Sequence, residues 1–131
     1  MARKTNGMGE GYGTLSTKEQ AMEDDAVIRV KQGNRIRLID RKDVIYIESI
    51  GRKAVLHLEQ ETVEYYAKIS RLEEQLRPAF FRVHRAYLVN LDYIESYTRR
   101  EVRLKNAESV LISKYRIREF QKILAKKLEK G

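Results

Sequence analysis

The chain has 131 residues, of which 42% are apolar, so it can build one domain around a single buried core. It contains no cysteine, which excludes a disulfide framework and a thiolate nucleophile. Its 27 Lys and Arg against 19 Asp and Glu leave a net charge of +8, and this excess favours a nucleic-acid partner over a membrane or a plain solvated surface.

Residues 1–25 contain four of the seven glycines and almost no periodic apolar residues. We expect a flexible segment or linker there. The segment holds three basic and five acidic side chains, so residues 26–131 carry a net charge of +10. It lacks the apolar core of a secretion signal, and no apolar run in the chain approaches the roughly 18 residues of a membrane span. The protein is therefore expected to act in the cytoplasm.

Residues 26–131 are predicted to form one mainly β domain. Its first half shows short strand patterns with turn residues between them, at 27–30, 35–39, 43–50, 54–59 and 62–66. The segment 43–50 is the most apolar and is predicted to lie centrally in a sheet. Within 35–39, Ile36 and Leu38 share one face, and two arginines share the other. Gly33 can supply the positive φ of a tight hairpin turn before this segment.

The second half adds two helices to the strands. Helical spacing of apolar residues predicts a short helix over 68–77, ended by Pro78, and a terminal helix over 115–130. The terminal helix has one apolar stripe, formed by Ile117, Phe120, Ile123, Leu124 and Leu128. Further strand patterns occur at 80–90, 93–98, 101–105 and 109–112. Strands at short spacing with only two helices predict a mainly antiparallel β domain.

Most enzyme chemistries have no support in this sequence. It has no phosphate-binding glycine loop, and its two histidines, His57 and His84, lack metal-ligand spacing, so no cofactor, metal or small-molecule substrate is predicted. Two alternatives to nucleic-acid binding stay open. The histidines could form an acid–base pair for metal-independent RNA cleavage, or the terminal helix could act as a protein-interaction module.

Three ordered segments carry a family resemblance: DVIYIES (43–49), FFRVHRAYLVN (80–90) and VLISKYRIREF (110–120). Together they closely resemble the LytTR DNA-binding domain of bacterial response regulators, over residues 27–125. The resemblance implies about ten short strands in small antiparallel sheets, with a short internal helix and a C-terminal one. It also implies a non-enzymatic transcription regulator of two-component systems. Such domains insert inter-strand loops into successive major grooves of double-stranded DNA, commonly as two copies on paired direct repeats.

The resemblance selects eight candidate DNA-binding residues in and around three loops. They are Arg52, Lys53, Arg82, Arg85, Ser113, Lys114, Tyr115 and Arg116. Arginine can offer a two-donor fork to guanine, and lysine a point charge to phosphate. Ser113 could instead cap the terminal helix, and Arg82 could form a surface ion pair. His84 is expected to be a structural, hydrogen-bonded histidine.

The chain departs from the family pattern at a few positions. Ala86 replaces the usual serine, Lys114 and Tyr115 replace a more basic pair, and Ala107 replaces the glycine of an Asn-Gly turn at a local conformational cost. Relatives usually carry a receiver domain of about 120 residues, an ordinary domain size, ahead of this module. The chain is accordingly expected to be either an excised effector module or a stand-alone regulator.

Overall fold

A computed structural model describes residues 26–130 of the chain, without the side chain of Lys130. The expected linker, residues 1–25, lies outside the described part. The described part contains ten strands, which are β1 (Val27–Gln32), β2 (Arg35–Asp40), β3 (Val44–Ile50), β4 (Lys53–Leu58), β5 (Thr62–Tyr66), β6 (Phe80–His84), β7 (Tyr87–Asn90), β8 (Ile94–Tyr97), β9 (Glu101–Leu104) and β10 (Ser109–Leu111). The two helices are α1 (Ile69–Leu76) and α2 (Ile117–Lys130).

The strands form three antiparallel sheets, as the sequence predicted. A five-stranded sheet has the order β5-β4-β3-β7-β6, so the apolar strand β3 lies at its centre. The other two sheets are the β1-β2 hairpin and the three-stranded β10-β9-β8. Gly33 has a φ of 63° in the hairpin turn, where its missing Cβ removes the steric cost.

The five-stranded sheet is buried on both faces, which makes the domain three layers thick. Against one face pack β1, β2 and α1, whose buried residues include Ile28, Ile39, Leu72 and Leu76. Against the other face pack β9, β10 and α2, through residues that include Val102, Val110 and Phe120. Burial on both faces explains why β3 is almost continuously apolar rather than alternating.

Several features of the termini and surfaces differ from the sequence expectation. The helix α2 begins at Ile117 and not at residue 115, because residues 114–116 form a separate turn. Its apolar stripe is buried at Phe120 and half-buried at its middle, whereas Leu128 is 79% exposed. In β2 the sequence defined two faces without saying which one meets the core. Ile36 and Leu38 face outward, and Ile39 is buried. No helix among the described residues has the length and apolar character to cross a bilayer.

Candidate nucleic-acid interface

One end of the five-stranded sheet carries two of the three predicted loops. The strands β3 and β7 are antiparallel, with Glu48 opposite Tyr87, so the last residues of β3 lie beside the first residues of β7. The β3–β4 turn at residues 51–52 and the β6–β7 turn at residues 85–86 therefore project from the same end. A hydrogen bond joins them directly, since the Ser49 N–H donates to the Ala86 carbonyl at 2.9 Å.

The third loop, residues 113–116, lies against this same end. The Ser113 N–H donates to the Val83 carbonyl at 2.8 Å, and Arg116 Nη1 donates to the Arg82 carbonyl at 3.0 Å. Both acceptors belong to the last residues of β6, immediately before the β6–β7 turn. We call residues 51–53, 85–86 and 113–116 together the loop edge. Its nine residues include five cations and no acid.

Two arginines of the loop edge present unengaged guanidinium groups. Arg52 and Arg85 are both exposed, and neither side chain forms a hydrogen bond or ion pair with another described residue. Lys53 is different, because it is half-buried and lies 3.7 Å from the Glu64 carboxylate and 5.3 Å from the centre of the Tyr66 ring. The two arginines thus have free donors for a ligand, whereas the charge of Lys53 is partly compensated.

The turn before α2 holds an exposed aromatic side chain. Tyr115 is 84% exposed, so it does not pack under the helix. The Lys114 ammonium lies 5.2 Å from the centre of its ring. Ser113 Oγ accepts the Tyr115 N–H at 3.2 Å and so caps this turn, while the first α2 hydrogen bond runs from the Phe120 N–H to the Arg116 carbonyl. Ser113 is therefore not the helix cap.

Arg82 and His84 point into the protein and hold the β6–β7 turn. Arg82 donates from Nη1 to Glu73 at 3.2 Å and from Nη2 to the Arg85 carbonyl at 2.7 Å. His84 Nδ1 accepts the Ala86 N–H at 3.1 Å, in agreement with its expected structural role. The surface ion pair considered for Arg82 is thus a half-buried one, formed with Glu73.

Two exposed side chains beside the loop edge were not selected from the sequence. Ile50, the last residue of β3, is 55% exposed, and Tyr66, the last residue of β5, is 75% exposed and pairs with Lys53. The alternation of side chains along β5 could have indicated that Tyr66 is exposed, since Val63 and Tyr65 on the opposite face are buried. Ile50 had no such signal, because it ends a strand that is apolar on both faces.

The two histidines do not face a common site. His57 Nε2 lies 3.1 Å from Glu48 Oε1, and its ring stacks on Tyr46 at 4.0 Å. The Tyr46 and Tyr87 rings lie between it and His84. Burial, with Glu108 and Glu48 nearby, raises the pKa of the Tyr46 hydroxyl. This arrangement gives no support to an acid–base pair, and no metal-binding cluster of acidic or histidine side chains occurs among residues 26–130.

The family model described as the LytTr DNA-binding domain matches residues 34–125. Accessory gene regulator protein A of Staphylococcus aureus strain N315 is 31% identical over 98 residues, which cover 72% of this chain and 40% of that protein. Transcriptional regulatory protein NatR of Bacillus subtilis strain 168 is 28% identical over 72 residues, which cover 54% of this chain and 31% of NatR. The chain thus spans well under half of these relatives.

A solved structure has the same fold. It is described as the LytTr DNA-binding domain of a putative methyl-accepting/DNA response regulator from Bacillus cereus. The TM-score is 0.65 at 24% identity, over 76% of this chain and 96% of that one. At this identity the match supports the architecture of small antiparallel sheets with two helices.

Proposed function

The chain belongs to the LytTr DNA-binding domain family, and on that premise we propose that it is a sequence-specific transcription regulator that binds double-stranded DNA through the loop edge. The observation that carries the proposal is the convergence of three loops, distant in sequence, at one end of a rigid sheet. Five cations without an acid give this edge the charge that phosphates attract. The domain has a non-catalytic role and acts in the bacterial cytoplasm.

The exposed arginines are the proposed readers of sequence. Arg52 and Arg85 lie on neighbouring turns, so both can enter a major groove, and each can offer its two-donor fork to guanine. Ile50, beside Arg52, offers an apolar surface to a thymine methyl group. No helix lies in a groove in this arrangement. The base contacts come from turns between strands.

The other loop-edge side chains are proposed to bind the sugar-phosphate backbone. Lys114 and Tyr115 are exposed and can donate to phosphate oxygens, while Lys53 contributes less because Glu64 lies beside it. Arg116 donates one hydrogen bond to the Arg82 carbonyl, and its other donors can bind a phosphate. Ser113 fixes the turn that carries them. Such contacts set the position of the protein on the duplex and carry no sequence information themselves.

Paired direct repeats are the proposed target, with one copy of the domain on each repeat. Direct repeats present identical base edges in the same orientation, so each copy can use the same loop edge without a two-fold interface. On an inverted repeat the two copies would be related by a two-fold axis, so any contact between them would be symmetric.

Selection of bound fragments from a random duplex library tests the proposal. We expect enrichment of one motif, repeated in the same orientation, at salt near 150 mM. The Arg52→Ala, Arg85→Ala double variant is the matched control and should enrich nothing above background. The proposal fails if the unaltered protein recovers only a random sample of the library, or if the double variant enriches the same motif equally well.

A further inference from the structure

The backbone of Arg85 is held from inside the protein by another arginine. The Arg85 carbonyl accepts from Arg82 Nη2 at 2.7 Å, and Arg82 Nη1 donates to the Glu73 carboxylate of α1 at 3.2 Å. The side chains of Arg82 and Glu73 are only 18% and 25% exposed. A continuous set of charged hydrogen bonds therefore joins the helix α1 to the exposed β6–β7 turn.

This turn depends on side chains because the strand pairing before it is irregular. The register between β6 and β7 shifts between Arg82 and His84, so the regular ladder is interrupted just ahead of the turn. Beyond the interruption, the Arg85 carbonyl is bonded to Arg82 and the Ala86 N–H to His84. These two side chains, together with the hydrogen bond from Ser49, therefore fix the backbone of the turn from which the Arg85 side chain projects.

Glu73 is what keeps the Arg82 guanidinium in this place. A half-buried guanidinium needs a counter-charge, and its Nε is fully buried with no hydrogen-bond partner among the described residues. Without the carboxylate, the guanidinium would keep only the Arg85 carbonyl as a partner among the described residues, and its buried charge would be uncompensated. It has room to turn, because Glu73 and Arg82 both line a cleft of about 760 Å³.

We propose that Glu73, acting through Arg82, positions Arg85 for base recognition, so that an acidic residue increases the specific affinity of the domain for DNA. The proposal rests on the proposed function of the loop edge and adds residues that do not touch DNA themselves. The direction of this effect on affinity is unusual for an acidic residue. Removing an acid from a DNA-binding protein ordinarily raises affinity for every duplex, since repulsion of the phosphates decreases.

Glu73→Ala and Glu74→Ala form a matched pair for the test. Both remove one negative charge from the same helix, but Glu74 is exposed and has no ion pair or hydrogen bond to another described residue. Affinity is measured on the selected site and on a scrambled duplex of the same composition. We expect Glu74→Ala to bind both duplexes as well as the unaltered protein or slightly better.

For Glu73→Ala we expect at least about fivefold weaker binding to the selected site, the lower limit for a lost arginine–base contact. Binding to the scrambled duplex should not weaken, so the ratio of the two affinities falls only in this variant. If Glu73 had a merely structural role, Glu73→Ala would lower the melting temperature but would leave the ratio of the two affinities of the folded protein unchanged. Glu73→Gln keeps an acceptor for Arg82 and is the safer variant for folding. Its ratio of affinities should lie between those of Glu73→Ala and the unaltered protein.

A double-variant comparison separates the two proposals. In an Arg85→Ala background, Glu73→Ala should cause no further loss of discrimination, because the residue being positioned is absent. If Arg85→Ala itself leaves discrimination unchanged, the proposed function of this turn is wrong. If Arg85→Ala abolishes discrimination but Glu73→Ala and Glu73→Gln behave like Glu74→Ala, the positioning role alone is wrong.

Discussion

We propose Arg85 as the residue on which sequence reading depends most. Its side chain is exposed, has no partner among residues 26–130, and projects from a turn whose backbone is fixed by Arg82 and His84. We expect Arg85→Ala to weaken binding to the selected site by about 1–3 kcal/mol and to reduce discrimination against a scrambled duplex. Fluorescence anisotropy titrations on both duplexes at one salt concentration measure the two effects.

The control for Arg85→Ala must remove the same charge elsewhere. Arg35 is exposed at the start of β2, and its neighbour Arg37 pairs with Glu61, which lies beyond the end of β4 opposite the loop edge. Arg35→Ala should therefore change the two affinities by similar small factors. Equal weakening on both duplexes by Arg85→Ala would instead assign this arginine to a phosphate.

The proposed contact of Ile50 with thymine can be tested by changing the DNA. If its exposed side chain contacts a thymine methyl, replacing that thymine by deoxyuracil removes one apolar contact, worth about 0.8 kcal/mol or roughly fourfold in Kd. Ile50→Ala should bind the two duplexes equally. Replacing each thymine of the selected site in turn locates the contact. A loss that is the same for Ile50→Ala and the unaltered protein would mean that another residue contacts the methyl group.

At the scale of single elements, the β9–β10 turn carries a conformational cost that the sequence predicted. Ala107 has a φ of 74°, which favours glycine, and its N–H donates to the Leu104 carbonyl at 2.9 Å. Ala107→Gly should stabilise the domain by about 0.5–1 kcal/mol, because relief of the strain exceeds the added entropy of the unfolded chain. Urea unfolding measures the change as a higher midpoint at constant slope.

Gly33 supplies the reciprocal control. Its φ is also positive and an added Cβ would meet no atom, so Gly33→Ala introduces the backbone cost without a steric clash. That variant should unfold at a lower urea concentration. An Ala107→Gly protein that is no more stable than the original would show that this turn is not strained in solution.

We expect the helix α2 to act on DNA only through charge at a distance. Lys127 forms an ion pair with Asp92, while Lys126 is exposed without a partner among the described residues. Lys126 lies nine residues after Ile117, roughly 14 Å along the helix from the loop edge. This distance exceeds the Debye length of about 8 Å at physiological salt. Long-range attraction from this lysine is therefore largely screened in the cell.

Lys126→Ala should accordingly have an effect that depends on salt and not on sequence. At about 10 mM salt, where the Debye length is about 30 Å, we expect weaker binding to every duplex. At 150 mM the loss should become small. Titrations on the selected and scrambled duplexes at both concentrations test this, and a loss confined to the selected site would mean that α2 contacts DNA directly.

For the whole molecule, the decisive quantity is the number of copies on DNA. We expect a monomer in sedimentation velocity at micromolar concentration, one copy bound to a duplex with a single repeat, and two copies bound to a duplex with both repeats. The reason is that one loop edge is complete within one domain. A stable dimer without DNA would favour the interaction module considered for the apolar stripe of α2, whose last member, Leu128, is exposed.

Local patterns predicted most of the elements correctly. Each strand pattern became a strand, except that the pattern at 80–90 became the two strands β6 and β7. The central position of 43–50 followed from its continuous apolar character. The start of α2 was placed two residues early because the residues before it have helical propensity, whereas Ser113 stabilises a separate turn there. The outward orientation of Ile36 and Leu38 was not predictable, since alternation defines two faces but not which of them meets the core.

The sequence by itself determined the fold class, the family and the three segments that carry the candidate cations, because periodicity and ordered motifs are local properties of the chain. Only the tertiary structure decided which of these cations have free donors. Arg82 and Arg85 are three residues apart and equally basic, yet one bonds to Glu73 from α1 and the other is exposed. That difference arises from partners that are distant in sequence, and local sequence patterns do not identify such partners.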